Sequence, residues 1–150
     1  MQLINKVNDE LKKAILSKDK LKLDSLRAIK SSLMLHQTSN ISKKNISQKD
    51  EIKILQKLVK QRRESASIFS KQNRYDLAKL EENQANYIAK FLPQQLKNHE
   101  IETIVLNVIA NLNLNEIKDI GKVIGIVIKK TEGKADGKRI SDIVKEKLSR

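Results

Sequence analysis

The sequence has no cysteine and no tryptophan, a single proline and only four glycines, and aromatic residues make up 3% of its 150 positions. The absence of cysteine excludes a disulfide framework, a thiolate metal site and a cysteine nucleophile. The scarcity of proline and glycine favours long helices over a turn-rich β protein. Hydrophobic residues still account for 39% of the chain, so its core has to be built from isoleucine, leucine and valine.

Long hydrophobic runs are also missing, and none approaches the length of a membrane span. The first six residues lack both the apolar stretch of a signal peptide and the arginine-rich composition of a transit segment, and Asp9 and Glu10 follow soon after. We therefore expect a cytoplasmic protein without a membrane partner.

Positive charge, in contrast, is abundant: the chain has 31 basic and 18 acidic residues, a formal net charge of +13. A nucleic-acid partner is one explanation for this excess. A genome rich in A·T codons is the other, because 25 of the basic residues are lysine and isoleucine and asparagine are also common. The charge is unevenly distributed: residues 1–97 hold 21 basic and 10 acidic side chains, whereas residues 98–150 hold 10 and 8. This asymmetry favours a functional basic surface on the first part.

Apolar residues recur at helical spacing in seven segments, and no segment alternates as a strand does. We predict an all-α fold in which an N-terminal helical bundle with a long helical hairpin, residues 1–95, precedes a small C-terminal three-helix domain, residues 96–150. The hairpin turns near Asn73, and Pro93 ends its second helix because the residue before a proline avoids the helical conformation. The polar residues 36–45 are predicted to form a loop. The predicted helix caps are Asp19, Ser47, Asn98, Asn115 and Asp136.

The third predicted helix, which follows Ser47, has the most informative pattern, because at about 100° per residue one face is apolar and the opposite face is basic. The apolar face carries Ile52, Leu55, Leu58, Val59, Ala66 and Phe69. The basic face carries Lys49, Lys53, Lys57, Lys60 and Lys71, with Arg63 at its flank. From Lys49 to Lys60 the stripe is roughly 16 Å long at about 1.5 Å per residue, enough to follow several phosphates. An ordinary solvated face of a lysine-rich protein is the alternative.

Arg62 falls near the centre of the apolar face of this helix, where an unpaired charge is costly. In an antiparallel hairpin that turns near residues 72–73, position 62 lies opposite position 83. Glu81 and Gln84 both fall on the apolar face of the fourth helix. We predict a structural ion pair between Arg62 and Glu81 that fixes the register of the hairpin, with Gln84 as a second partner.

Two glycine-containing segments follow in the last third of the chain. Gly121 and Gly125 lie four residues apart on the sixth predicted helix, a spacing that lets another backbone approach closely. Residues 131–139 combine two glycines, a helix start and three basic side chains, which suit an anion or phosphate. A plain cap and turn between two helices is the alternative. The basic side chains of this segment are Lys134, Lys138 and Arg139.

No pattern of catalytic residues is present. The two histidines, His36 and His99, lack metal-ligand spacing. The sequence has no nucleophile elbow, no phosphate-binding P-loop and no paired carboxylates. We predict no catalytic residue, no metal site and no cofactor, which leaves open whether the protein is an enzyme.

Six short motifs occur in a specific order and spacing. They are LRAIKS at 26–31, KQRRES at 60–65, RYDLA at 74–78, FLPQQL at 91–96, GKVIG at 121–125 and GKADGK at 133–138. Through them the chain resembles, over essentially its whole length, the GatB/YqeY family. That family comprises small stand-alone proteins related to the C-terminal tail of the GatB component of glutamine-dependent aspartyl/glutamyl-tRNA amidotransferase. Asn73 departs from the family pattern, which usually has glycine there, and Gln84 stands where an acidic residue is common.

The resemblance implies two all-α parts, of which the second corresponds to the amidotransferase tail that helps to hold tRNA. The stand-alone family is associated with carbon–nitrogen ligation that uses glutamine as the amide donor. We therefore expect a tRNA-binding accessory of the amidation of misacylated tRNA, with tRNA and amidotransferase subunits or other translation-associated proteins as partners. A helical protein–protein adaptor with no nucleic-acid role is the alternative. The candidate RNA contacts are Lys53, Lys57, Lys60, Arg63, Lys134, Lys138 and Arg139.

Overall fold

The computed structural model describes residues 2–39 and 45–149. Within these ranges the chain forms seven α-helices and one 3-10 turn and no strand, which confirms the predicted all-α fold. The helices are α1 (Leu3–Ser17), α2 (Lys20–Ser39), α3 (Gln48–Lys71), α4 (Tyr75–Ala89), α5 (Asn98–Leu112), α6 (Ile120–Thr131) and α7 (Gly137–Leu148). No helix in the described ranges is both long and apolar enough to cross a bilayer. The chain divides into two compact units, Met1–Leu92 and Pro93–Arg150.

The first unit is a bundle of α1 to α4 around a core of aliphatic side chains. Helix α2 contacts α1, α3 and α4, and α3 pairs with α4 along the hairpin. The most deeply buried side chains, at most 2% exposed, include Val7, Leu26, Ile29, Leu55 and Ile88. Each of them belongs to the apolar stripe of its helix, so burial of these stripes is what holds the bundle together.

The turn of the hairpin lies where the sequence predicts it. Asn73 adopts a left-handed backbone conformation with φ of 59°, which asparagine tolerates better than most residues. The amide of the next residue, Arg74, donates to the Phe69 carbonyl at 2.8 Å. This bond satisfies a carbonyl at the end of α3 and reverses the chain toward α4.

The starts of α2 and α3 follow the predicted caps, but the loop before α3 is shorter than predicted. Asp19 accepts the Lys22 amide through Oδ1 at 3.1 Å, and Ser47 accepts the Asp50 amide through Oγ at 3.1 Å. Both caps are therefore confirmed. The loop predicted for residues 36–45 is wrong for residues 36–39, which continue α2. The hydroxyls of the last turn bond to the Leu35 carbonyl instead of breaking the helix; residues 40–44 lie outside the described ranges.

The second unit is built from α5, α6 and α7, each of which contacts the other two. Its core residues are fully buried and again aliphatic: Ile101, Val105, Val123, Val127, Ile140 and Val144. The three helices are 15, 12 and 12 residues long. Helices this short are marginal on their own in water, so the packing of these stripes supplies the stability of the unit.

One of the three predicted caps in the second unit is confirmed and two are wrong. Asp136 accepts the Arg139 amide through Oδ1 at 2.7 Å and begins α7. Asn98 is the first residue of α5 rather than its cap, because its side chain is engaged elsewhere, as described below. At the start of the 3-10 turn Ile117–Asp119, Glu116 and Asp119 cap each other's backbone in place of Asn115.

Candidate nucleic-acid interface

Helix α3 separates its apolar and basic residues onto opposite faces. Leu55, Leu58, Val59 and Ala66 are buried against the first unit. Lys49, Lys53, Lys57 and Lys60 are all exposed, and we call these four residues the lysine stripe. They follow one another at intervals of four, four and three residues, which keeps them on one side of a helix with 3.6 residues per turn.

The lysine stripe is not neutralised by its own helix. In the described ranges none of the four lysines forms an ion pair. The two acidic residues in the first turn of α3 face other partners: Glu51 accepts the Leu3 amide at 2.8 Å, and Asp50 lies 3.8 Å from His36. Because these carboxylates cap α1 and face α2, the positive potential of the stripe remains available to an anionic partner.

Arg63 is exposed one turn beyond Lys60, at the flank of the stripe, as the helical spacing predicts. It takes part in an interaction of its own within the chain. The structure therefore brings Lys53, Lys57 and Lys60 together on one face and places Arg63 at its edge. All four belong to the first unit, which holds 20 basic and 10 acidic side chains.

Of the two predicted partners of Arg62, Gln84 is confirmed and Glu81 is wrong. The Arg62 Nε donates to Gln84 Oε1 at 3.1 Å and its Nη1 donates to the Leu58 carbonyl at 3.2 Å. The predicted ion pair with Glu81 is not formed, although both residues lie in the described ranges. The bond to Leu58 draws the guanidinium back toward the start of α3. In an antiparallel hairpin that direction leads to later residues of α4, which selects Gln84 over Glu81.

The segment 131–139 is a braced turn rather than an open cradle. Gly133 adopts φ of 83°, the left-handed conformation that glycine favours at a helix end. The Gly133 carbonyl accepts from Gln95 Nε2 at 2.9 Å, and the Lys134 carbonyl accepts the Leu96 amide at 2.7 Å. The carboxylate of Asp136 caps the amino-terminal end of α7. The positive end of the helix dipole therefore already has a negative charge beside it.

Arg139 is half-exposed and adds to these contacts; we call the hydrogen bonds that join residues 95–98 to residues 133–139 the brace. Its Nη2 donates to the Leu96 carbonyl at 2.7 Å and to Asn98 Oδ1 at 2.8 Å, and its Nε reaches the same Asn98 oxygen at 3.3 Å. A planar guanidinium can hold two acceptors in a fixed orientation. Arg139 thus has a structural role in the second unit, and its contact with RNA stays a prediction. Lys134 and Lys138 are exposed and stay available as contacts of the second unit.

The contacts of the brace could not be predicted from the spacing of residues in the sequence. Gln95, Leu96 and Asn98 lie about forty positions before their partners, and no periodicity connects them. The one available signal was Asn98, a residue type that is common at helix starts because its side chain bonds nearby backbone. Here the side chain bonds Arg139 instead.

Gly121 and Gly125 do not support a close helix contact within the chain. Both are exposed. A Cβ atom built on either glycine would meet no heavy atom of the described chain within 4 Å. The expectation of a neighbouring backbone at this position is therefore wrong, because this face of α6 is open.

Alanine at position 125 is expected to stabilise the second unit by about 1 kcal/mol, because glycine in a helix interior loses more backbone entropy on folding. The measurement is urea unfolding followed by circular dichroism. Gly137→Ala is the matched control: it also has open space for a Cβ but begins α7, so it should gain less. Destabilisation by Gly125→Ala would show that the surface around α6 is packed.

Comparison with known proteins adds one finding. A family model described as Yqey-like protein matches residues 4–148, nearly the whole chain. No curated protein matches the sequence.

Proposed function

The chain belongs to the YqeY-like protein family, and we propose that it binds tRNA through the lysine stripe of α3 as an accessory of glutamine-dependent amidation of misacylated tRNA. The observation that carries the proposal is the row of four exposed lysines, none of which forms an ion pair within the described ranges. Lysine and arginine that neutralise phosphates release condensed counterions, and this release drives binding to nucleic acids. A stripe on one rigid helix presents these charges in a fixed arrangement, so binding does not have to order a loop first.

The stripe is long enough for an RNA backbone but carries little sequence information. Contacts to phosphates position a nucleic acid, whereas contacts to base edges specify its sequence. We therefore expect the stripe to recognise the backbone of tRNA. Lys134 and Lys138 of the second unit are further candidate contacts.

The choice of tRNA and the link to amide transfer rest on the resemblance to the amidotransferase tail. In this role the protein would hold the tRNA while other subunits produce ammonia and activate the aminoacyl group. That the second unit is the counterpart of the amidotransferase tail remains part of the proposal.

A competition experiment tests the proposal. Labelled tRNA is bound to the protein at physiological ionic strength and titrated with heparin at matched charge concentration. We expect tRNA to be retained, because a folded RNA offers the stripe a backbone of defined geometry. Displacement by heparin as readily as by unlabelled tRNA would reduce the interaction to nonspecific polyanion binding.

A protein–protein adaptor is the second candidate, and one observation favours it. Near the turn of the hairpin, Ile68, Tyr75 and Leu80 are 55%, 65% and 57% exposed. Large apolar side chains exposed near one end of a helical hairpin are candidates for an interaction site. Purification of the protein from its own cells with and without nuclease separates the two candidates, since only the adaptor would keep its partners after the RNA is digested.

A further inference from the structure

A groove runs between α2 and α3 in the first unit and has a volume of about 410 Å³. Each helix contributes one wall of four residues at positions i, i+3, i+4 and i+7, a spacing that selects a single helix face. The wall from α2 consists of Ser32, Leu35, His36 and Ser39, and the wall from α3 consists of Ile54, Lys57, Leu58 and Gln61.

The groove and the lysine stripe share a residue. Lys57 lines the groove and is also the third lysine of the stripe. Lys53 and Lys60 precede and follow it by about one helical turn each, or roughly 5 to 6 Å along α3. A strand whose phosphates lie on the stripe therefore passes the mouth of the groove.

The lining combines apolar and polar side chains on both walls. Leu58 is buried at 7% exposure and Ile54 is half-buried, whereas Leu35 is 69% exposed at the opposite wall. The Ser32 hydroxyl and the Gln61 amide supply hydrogen-bond donors and acceptors. A nucleobase has the complementary construction, with apolar faces and a polar rim.

We infer that the groove takes the base of an unpaired nucleotide in the RNA strand that the stripe holds, so the protein selects RNA with single-stranded segments. This inference rests on the proposed function. A base in a continuous duplex would have to leave its stack to enter the groove, at a cost of a few kcal/mol. A partner helix is a poor fit, because a stable protein interface needs about 800 Å² of surface from each side, and the groove has the size of a small-molecule pocket.

Three labelled ligands of equal charge test the inference: a short oligouridylate, an abasic ribose-phosphate strand of the same length, and a duplex with the same number of phosphates. Binding is followed by fluorescence anisotropy at low salt. We expect the oligouridylate to bind about tenfold more tightly than the abasic strand, because contact of one base with Ile54 and Leu58 removes apolar surface from water. It should also bind more tightly than the duplex.

Two variants test whether the preference for the oligouridylate over the abasic strand arises in the groove. Leu35→Gln and Gln61→Ala change the groove without changing the charge. Each is expected to reduce the tenfold ratio to about threefold or less, because Leu35→Gln removes apolar contact area and Gln61→Ala removes a hydrogen-bonding group. Met34→Gln is the matched control. Met34 is 54% exposed on the same helix, next to Leu35, but does not line the groove. Retention of the ratio in this control excludes a general effect of losing an exposed apolar side chain.

The outcomes separate this inference from the proposed function. Equal affinity for the oligouridylate and the abasic strand, with a salt-dependent response to both, would overturn the base groove and leave binding by the stripe intact. Equal or tighter binding of the duplex would also overturn it. Failure of all three ligands and of tRNA to bind would overturn the proposed function itself.

Discussion

Replacing Lys53, Lys57 and Lys60 with glutamine is expected to weaken tRNA binding about 100-fold at physiological salt, because each lost phosphate contact removes a released counterion. Glutamine has nearly the helix propensity of lysine, so α3 should remain folded. The three side chains are exposed and form no ion pair within the described ranges. The measurement is the dissociation constant from fluorescence anisotropy of labelled tRNA.

A second triple variant controls for the loss of charge. Lys12, Lys20 and Lys79 are exposed on α1, α2 and α4, and their replacement by glutamine removes the same net charge away from the stripe. They are better controls than Lys6, Lys22 and Lys90, which lie over aromatic rings. We expect the control to lose only a few-fold in affinity, the effect of a weaker overall field. Equal losses in the two variants would show that binding follows net charge rather than the stripe.

Arg139→Ala is expected to destabilise the second unit by about 2 kcal/mol, because hydrogen bonds to a charged donor contribute more than neutral ones and their loss leaves acceptors unpaired. The Leu96 carbonyl and the Asn98 amide oxygen would both lose the guanidinium. Backbone exchange at Val105 and Val144, both fully buried in this unit, should accelerate about 30-fold, the equivalent of that energy. Amide hydrogen exchange measures the effect in the second unit directly.

Two further variants test whether the planar guanidinium of Arg139, which can hold two acceptors at once, is needed for the stability of the second unit. Arg139→Lys keeps the charge but cannot hold two acceptors in one plane, so it should restore only part of the lost stability. Lys138→Ala removes the exposed neighbour and should change exchange little. Full rescue by lysine would assign the effect to charge alone. No effect of Arg139→Ala would mean that the brace does not stabilise the unit.

The helices could be predicted from the sequence because a helix that buries one face has apolar residues at regular helical spacing. The faces of α3 illustrate this, since its four buried residues all lie on the predicted apolar side. Local capping was equally readable at Asp19, Ser47 and Asp136, whose partners lie three residues away. In each of these cases the interaction lies within one turn of helix.

Interactions between distant segments could not be read in the same way. The side chain of Asn98 bonds Arg139, across 41 positions, and this partner overrides the local preference of asparagine for a cap. Arg62 shows a milder case: the sequence predicted Glu81 and Gln84 of α4 as its partners, and with the additional bond to the Leu58 carbonyl only Gln84 is contacted. Orientation of a long side chain depends on such additional bonds, which spacing along a helix does not encode.

The groove between α2 and α3 could not be foreseen for a related reason. Its α2 wall includes His36 and Ser39, which the sequence assigned to a loop. Only the continuation of α2 to Ser39 places these residues opposite α3. The position of Lys57 on the stripe was predictable, whereas its second position at the groove depends on how the two helices pack.

The salt dependence of tRNA binding tests the central proposal most directly. The logarithm of the binding constant is measured against the logarithm of salt concentration, from about 50 to 200 mM, for the wild type, the stripe variant and the control variant. If the lysine stripe holds the tRNA backbone, the slope should fall in magnitude by about 2 to 3 in the stripe variant, since each removed contact contributes about 0.7 to 0.9. The control should keep the wild-type slope. Equal slopes for the wild type and the stripe variant would contradict the account.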